Sequence, residues 1–390
     1  MKTIADTRPL IAHVIFRFDY GGLENGLVNL VNALPEGEFR HAIIALTSIS
    51  DFKLRLERAD VELYHLDKRA GQDLGAYWRL FILLRKLRPT VVHTRNVGTL
   101  DCALVASLAG VPFRVHGEHG WDVHDPDGTN RKYLFVRRIF FPLVDRVVAV
   151  SEEIERWLRD RLRVTPERVR RICNGVDIDK FDRERVSAEI PPDRVGPGHI
   201  VVGSVTRFNE IKDPLTLVRA FISLRRRLAP TGPDVRLVMI GSGPLHTAAV
   251  QLLEAEGLGD FAWLPGSRDD VASLLKRIDL FVLASRREGI SNTVLEAMAS
   301  GLPVVASATG GNCELVVPGE TGALVAPGDV EGLADACAVY VRDAAARVAH
   351  GAAGKVRARE RYSLARMVSQ YRAMYLDLCR EKRAAAGATL

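Results

Sequence analysis

The segment LFVLASRREGISNTVLEAMASG, residues 280–301, runs from an apolar stretch into a loop and then into a helix. The loop holds Glu288, Gly289 and Ile290, and the helix opens near Ser291, Asn292 and Thr293. A glycine lets backbone approach a ligand closely, and the free N–H groups of a new helix attract an anion. Glu296 follows inside the helix, so one carboxylate could accept bonds from sugar hydroxyls and the other from a ribose. Glu296 can also be read as the far half of a capping box with Thr293. Glu288, between an arginine and a glycine, has no structural duty that the sequence reveals.

A second group is VVGSVTRFNEIK, residues 201–212, where Arg207 leaves an apolar run and Lys212 precedes an Asp-Pro helix start. Two cations at such a junction can converge on a diphosphate, each charge-assisted bond contributing about 1.5–3 kcal/mol. Alone they would read as surface cations. A third group, DYGGLEN, places Gly21 and Gly22 after the first apolar run, where they are expected to permit positive φ and close approach to a ligand. A tight turn explains the pair equally well. The fourth, HGEHGW, puts His119 on a loop after a strand expected at Val111–Val115, with an imidazole suited to proton handling near neutrality. His116, His119, Asp122 and His124 raise zinc as an alternative, but neither HExxH nor CxxC is present and no metal is expected. Asp177-Ile178-Asp179 has a DxD form but sits in an Asn-Gly turn and reads as solvated. Gly241-Ser242-Gly243 lacks the third glycine of a dinucleotide fingerprint, because His246 stands there.

These groups need scaffolding, and the alternation of the chain supplies it. Strands are expected at 10–16, 41–47, 61–66, 91–93, 111–115 and 146–150, separated by amphipathic helices such as 23–34 and 77–87. That alternation indicates a mostly parallel sheet covered on both faces. It stops at SAEIPPDRVGPGH, residues 187–199, whose Pro and Gly content suits a linker. It restarts with strands at 200–205, 235–240, 280–284, 304–306 and 323–325 and a helix at 214–228. The expected organisation is an N-terminal Rossmann-like domain over 1–186, the linker, a nucleotide-binding domain over 200–363, and a C-terminal helix over 364–390 packing back on the first domain. Ligands of such sheets bind at the carboxyl ends of the strands.

The 390 residues, 47% hydrophobic and 26% charged, fit two soluble domains and exclude a disordered or collagen-like chain. Five scattered cysteines read as free thiols in a reducing compartment. Without a membrane-length apolar run or a signal-peptide pattern, a cytoplasmic location is expected. The net charge of +6 does not call for nucleic acid. Residues 131–171, however, carry 12 Lys/Arg against 6 Asp/Glu among Tyr133, Phe135, Phe140, Phe141 and Trp157. This stretch suits an anionic membrane surface and equally suits solvated arginines on ordinary helices.

Taken together, the GG, the HG, the R…K, the EGxxxxxxEAMAxGxPVVA pattern and a following GGxxE resemble glycosyltransferase family 4. Within it, FRFDYGGLENGLVNL, VHTRN, HGEHGWD and NGVD are similar to the sugar transferases of PEP-CTERM/exosortase exopolysaccharide systems. The resemblance implies a GT-B fold, two Rossmann-like domains with parallel sheets facing across a cleft. It also implies retaining, metal-independent transfer from a UDP- or GDP-sugar to a glycan or polyprenyl-diphosphate-linked acceptor. Carried over by position, Arg207 and Lys212 hold the donor diphosphate, and Glu288 binds sugar hydroxyls with backbone help from Gly289, Ile290 and Ser291. Asn292 and Thr293 meet phosphate, Glu296 binds ribose, Gly21 and Gly22 approach the diphosphate, and His119 lies near the donor sugar. Residues 310–314 match a further family segment, and 263–268 lie near the base. A nucleotide-sugar epimerase or hydrolase, or a non-catalytic binding protein, are the alternatives that donor hydrolysis and nucleotide-binding assays separate.

Overall fold

The computed structural model describes residues 7–121, 125, 127–182, 190–191, 193–228 and 232–387. The first sheet is formed by β1 (Leu10–Ile15), β2 (Arg40–Ala45), β3 (Val61–His65), β4 (Val91–Arg95), β5 (Phe113–Glu118), β6 (Arg146–Ala149) and β7 (Val169–Arg171). The second is formed by β8 (Ile200–Val205), β9 (Val235–Ile240), β10 (Ala262–Gly266), β11 (Leu280–Leu283), β12 (Val304–Ser307) and β13 (Gly322–Val325). Their orders are β3-β2-β1-β4-β5-β6-β7 and β10-β9-β8-β11-β12-β13, and the strand pairs are parallel. Every residue of β1, β4 and β11 is buried, as expected of strands covered on both faces. In each sheet the order reverses beside its first strand, between β1 and β4 and between β8 and β11. Loops leaving these strands lie at the switch points where such sheets receive ligands.

The chain divides into two compact units, Met1–Asn174 with Leu364–Leu390 and Gly175–Ser363. The helix Leu364–Gly387 belongs to the first unit because Met367, Tyr371, Met374, Tyr375 and Leu378 pack with Ile11, Leu30, Phe39 and Val91. The division after Asn174 corrects the boundary expected at 187–199. Ile190 and Val195 are buried, and Arg194 Nη1 donates to Gly259 O at 2.8 Å. Apolar residues among the prolines thus seat this segment on the second unit. Residues 187–189 and 192 of the expected linker lie outside those described.

The strand expected at 111–115 is β5, shifted to run through Glu118. The shift has a physical reason: Arg137 Nε donates to Glu118 Oε1 at 2.7 Å and Nη2 to Oε2 at 3.2 Å, so the carboxylate can be buried. Arg137 comes from helix Arg131–Phe140, is itself buried, and stands 4.9 Å from the Trp157 ring. The basic stretch 131–171 is therefore partly interior, with Arg137, Phe141 and Trp157 all buried. Arg131, Lys132, Phe135, Arg138 and Ile139 remain exposed on its first helix. Among the described residues no helix is long and apolar enough to cross a membrane, and the cysteines are free.

Candidate active site

In the second unit, the loop after β8 and the loop after β11 meet at the switch point. Lys212 Nζ donates to Glu288 Oε1 at 2.5 Å, with side chains 20% and 5% exposed. The two groups singled out separately in the sequence therefore form one cation–carboxylate pair. Arg207 lies on the same loop, exposed, and its guanidinium has no hydrogen-bond or ion-pair partner among the described residues. Ile290 and Ser291 are buried, and Gly289 is half-buried.

The helix Asn292–Ala299 is capped by Ser291, whose Oγ accepts from Val294 N–H. This corrects the capping box read between Thr293 and Glu296, because Thr293 is already inside the helix. Asn292, Thr293 and Glu296 are half-buried while Val294, Leu295 and Ala297 are buried. The spacing of three and four residues puts these polar side chains on one accessible face.

Several residues that the sequence did not single out hold this loop pair in place. Asp213, at φ 44°, is buried. Its Oδ2 accepts from Thr216 Oγ1 at 2.9 Å and from Arg286 Nε at 2.9 Å. Arg286 N–H donates to Ile211 O at 2.8 Å, and Lys212 N–H to Asn209 Oδ1 at 3.0 Å. The Gly241-Ser242-Gly243 turn has a bracing task of its own. Phe208 N–H donates to Ser242 O at 2.9 Å. A Cβ at Gly241 or Gly243 would sit 1.9 Å from Thr206 O or 2.4 Å from Phe208 O. Gly311 N–H donates to Gly289 O at 2.9 Å, which places the 310–314 segment directly behind the Glu288 loop. After β10, Arg268 stands 6.0 Å from the Trp263 ring and binds Asp270 with both its Nε and Nη2. Asp177 and Asp179 are exposed, and Asp177 Oδ1 accepts from Lys180 N–H within a turn.

In the first unit, Gly21 precedes helix Gly22–Ala33 with φ −165°, and neither Gly21 nor Gly22 has positive φ. The expectation of a left-handed turn there is corrected. A Cβ at Gly21 would meet only the end of the Glu24 side chain, Oε2 at 2.1 Å, which is free to rotate away. His119 follows β5 directly, and its N–H donates to Asn96 Oδ1 at 2.8 Å. Its ring folds over Gly117, where a Cβ would lie 2.3 Å from Nε2. Burial and the Arg95 charge push its pKa down to about 3. His119 is therefore a neutral imidazole near pH 7, which corrects the expectation of a proton carrier. His119, Leu23 and Gly26 line one small cavity, so the residue stands beside the helix that Gly22 opens. Asp122 and His124 lie outside the described residues, and among those described no group of three His, Cys, Asp or Glu could hold a metal ion.

Two Rossmann-like domains carrying strand-end loops of this kind define a GT-B protein. Comparison with known proteins places both halves: residues 20–180 match the family model described as Glycosyltransferase Family 4, and residues 199–343 that described as Glycosyl transferases group 1. Each half of the chain is thus similar to a glycosyltransferase domain. It is 30% identical over 214 residues to the putative glycosyltransferase EpsF of Bacillus subtilis, covering 53% of each chain. It is 34% identical over 245 residues to the lipopolysaccharide core biosynthesis mannosyltransferase LpcC of Rhizobium leguminosarum, covering 62% of this chain and 66% of that one. The chain thus spans between about half and two thirds of the length of these curated relatives. The solved structure of Anabaena HepE with UDP and glucose superposes with a TM-score of 0.77 at 21% identity, over 94% of this chain and 98% of that one.

Proposed function

We propose that this protein is a retaining glycosyltransferase that moves a sugar from a nucleotide-sugar donor to a glycan or lipid-linked acceptor in exopolysaccharide synthesis. The observation that carries the reading is the Lys212–Glu288 pair at the β8–β11 switch point, with Arg207 exposed beside it. Breaking a sugar–diphosphate bond leaves negative charge on the departing phosphate and positive charge on the ring. Lys212 and Arg207 neutralise the first in the proposed reaction, without a metal ion. Glu288 accepts bonds from the sugar hydroxyls once Lys212 turns to the diphosphate. Asn292, Thr293 and the N–H groups of their helix meet phosphate, and Glu296 meets the ribose. His119, neutral, serves as a hydrogen-bond partner of the donor sugar.

The acceptor oxygen attacks the anomeric carbon on the face the leaving group vacates. The C1–O bond to phosphate breaks with its electron pair, and the acceptor's proton passes to the departing oxygen. Support for the donor class comes from UDP and glucose on HepE, and for the acceptor class from the lipopolysaccharide core named for LpcC. Phe135 and Ile139, exposed beside Arg131, Lys132 and Arg138, support contact with an anionic membrane surface. Removing one preorganised transition-state donor costs on the order of 100-fold or more in turnover. Lys212→Ala is therefore expected to lower transfer by at least that factor in a nucleotide-sugar assay, in protein that remains folded but melts earlier because Glu288 loses its partner. Transfer at the wild-type rate would end this assignment.

A further inference from the structure

We propose that the first unit seats an anionic phospholipid at the end of helix Leu74–Leu87, its phosphate among Arg85, Arg88 and Lys382 and its chains on the outer face of that helix. This gives the membrane contact proposed above a defined place, and it rests on the transfer reading only for the use such a contact would have. A cavity of about 240 Å³ lies where the helix ends, beside the turn at 109–112 and the C-terminal helix, and the three cations line it without an acid. Among the described residues none of their side chains has a hydrogen-bond or ion-pair partner. Glu381, next to Lys382 in the chain, is taken by Arg146 at 2.6 Å. The helix dipole accounts for a cation in the last turn such as Arg85, but not for Lys382, which arrives from another helix. Three full charges outweigh the roughly half negative charge of the helix end, so the cavity attracts an anion. It is far larger than one water needs, which leaves room for a phosphate and the glycerol behind it.

The helix LGAYWRLFILLRKL contains no Asp or Glu and buries Ala76, Leu80 and Leu84 in the core. Its other side repeats Leu74, Trp78 and Ile82 every four residues, and all three are exposed, Trp78 at 63%. A helix apolar on both sides is ordinarily covered on both. Leu104 and Leu108 extend the exposed face from helix Cys102–Leu108, which shares the same core, and Leu108, 69% exposed, directly precedes the cavity wall at Ala109 and Gly110. Ile82 and Arg85, three residues apart, are neighbours on the helix surface and join the apolar stripe to the cavity. The nearest acids are engaged: Asp73 caps the far end of the helix by accepting from Ala76 N–H, and Asp101 accepts from Tyr77 Oη. An apolar stripe about 20 Å long that ends in unpaired cations complements acyl chains beneath phosphate. The seat is separate from the catalytic loops. Pro89 and Pro112 of its wall precede β4 and β5, whereas His119 follows β5 at the opposite edge of the sheet.

The test floats the full-length protein with vesicles of phosphatidylcholine alone and of phosphatidylcholine mixed equally with phosphatidylglycerol. Binding is expected to the mixed vesicles only and should weaken as salt rises. Each basic residue near an anionic surface contributes about fivefold in affinity, so Arg85→Gln, Arg88→Gln and Lys382→Gln combined should lower it on the order of 100-fold. Trp78→Gln with Ile82→Gln should lower it at least tenfold by removing the apolar anchor. Arg131→Gln, Lys132→Gln and Arg138→Gln combined should cost only severalfold. All these side chains are exposed, so the variants are expected to melt close to the wild type. Brominated phosphatidylcholine in the mixed vesicles should quench the wild-type tryptophan fluorescence and largely spare Trp78→Phe, which still binds. Equal losses in the two charge variants would mean diffuse attraction and overturn the seat. A loss confined to the second would move the contact to helix Arg131–Phe140, overturning the seat and sparing the membrane contact of the transfer reading. A wild type indifferent to both vesicles, whether monomeric or joined in dimers that Trp78→Gln dissolves, would overturn lipid as the occupant. Turnover of Lys212→Ala on a soluble acceptor reports on the transfer reading separately.

Discussion

Glu118 and Arg137 exchange two hydrogen bonds at full burial, and their partner-by-partner balance sets how the first unit answers to acid. Burial alone would raise the Glu118 pKa, but the guanidinium and His116 outweigh it and hold the carboxyl down at about 2. A carboxylate with a depressed folded pKa contributes stability that is present above the ordinary value near 4.5 and lost as pH falls through 2. Removing one partner of a buried pair leaves the other charge stranded, at about 3–5 kcal/mol. Arg137→Met is therefore expected to cost about that much at pH 7 in urea unfolding. Arg137→Met with Glu118→Gln should recover a large part of the loss, because no uncompensated charge remains. A double variant as unstable as the single one would show that packing on Trp157, not charge, is what Arg137 supplies. Such pairs explain what was legible in single residues. Arg207, Lys212 and Glu288 stood out because a charge at the end of an apolar run has no local use. Arg95 and Arg137 did not, because partners such as His13 and Glu118 are 82 and 19 residues away and appear only when β1, β4, β5 and helix Arg131–Phe140 are assembled.

At the scale of elements, the two loops of the second unit are positioned by backbone rather than by side chains. Gly311 donates to Gly289 O, and a Cβ at Gly311 would fall 2.2 Å from that oxygen and 2.4 Å from Ile290 Cδ1. Neither neighbour can yield without moving Glu288, since Arg286 is tied both to Ile211 and to Asp213. Gly311→Ala is expected to weaken nucleotide-sugar binding by tenfold or more in calorimetry. The accompanying loss of stability should stay within about 1–3 kcal/mol, the ordinary cost of overpacking. Unchanged binding would mean that the Glu288 loop tolerates displacement. The strands and helices themselves were readable, because apolar runs alternating with amphipathic stretches leave little choice of fold. The Gly241-Ser242-Gly243 turn was seen but not understood. Its glycines are required by backbone at Thr206 and Phe208, a contact between loops some 35 residues apart that no local pattern announces.

For the whole molecule, the two units differ in how their sheets are filled. Beneath helix Leu364–Gly387, the first sheet buries His13, His41 and His93 in one polar chain. His13 Nε2 lies 3.1 Å from His41 Nδ1, and His93 Nδ1 lies 2.7 Å from Tyr375 Oη. Burial lowers all three pKa values, to about 3 for His41, with Arg95 adding to the effect at His13 and His93 and Arg58 at His41. A histidine whose folded pKa lies below its unfolded value near 6.5 binds fewer protons when folded. Its contribution is complete above that value and is lost as pH falls below it, at a limiting slope of about 1.4 kcal/mol per pH unit for each group. The first unit is therefore expected to lose stability between pH 6.5 and 5, well before Glu118 titrates. Hydrogen exchange at pH 7 and pH 5, corrected for intrinsic rates, should show β1, β2, β4 and the turns of helix Leu364–Gly387 over them opening more often at the lower pH. The composition of the sequence could not reveal this, since ten histidines in 390 residues are unremarkable until β1, β2 and β4 bring three of them to one face. Protection that stays constant in those strands from pH 7 to 5 would mean that the chain of imidazoles accepts protons while folded, and that water reaches it under the helix.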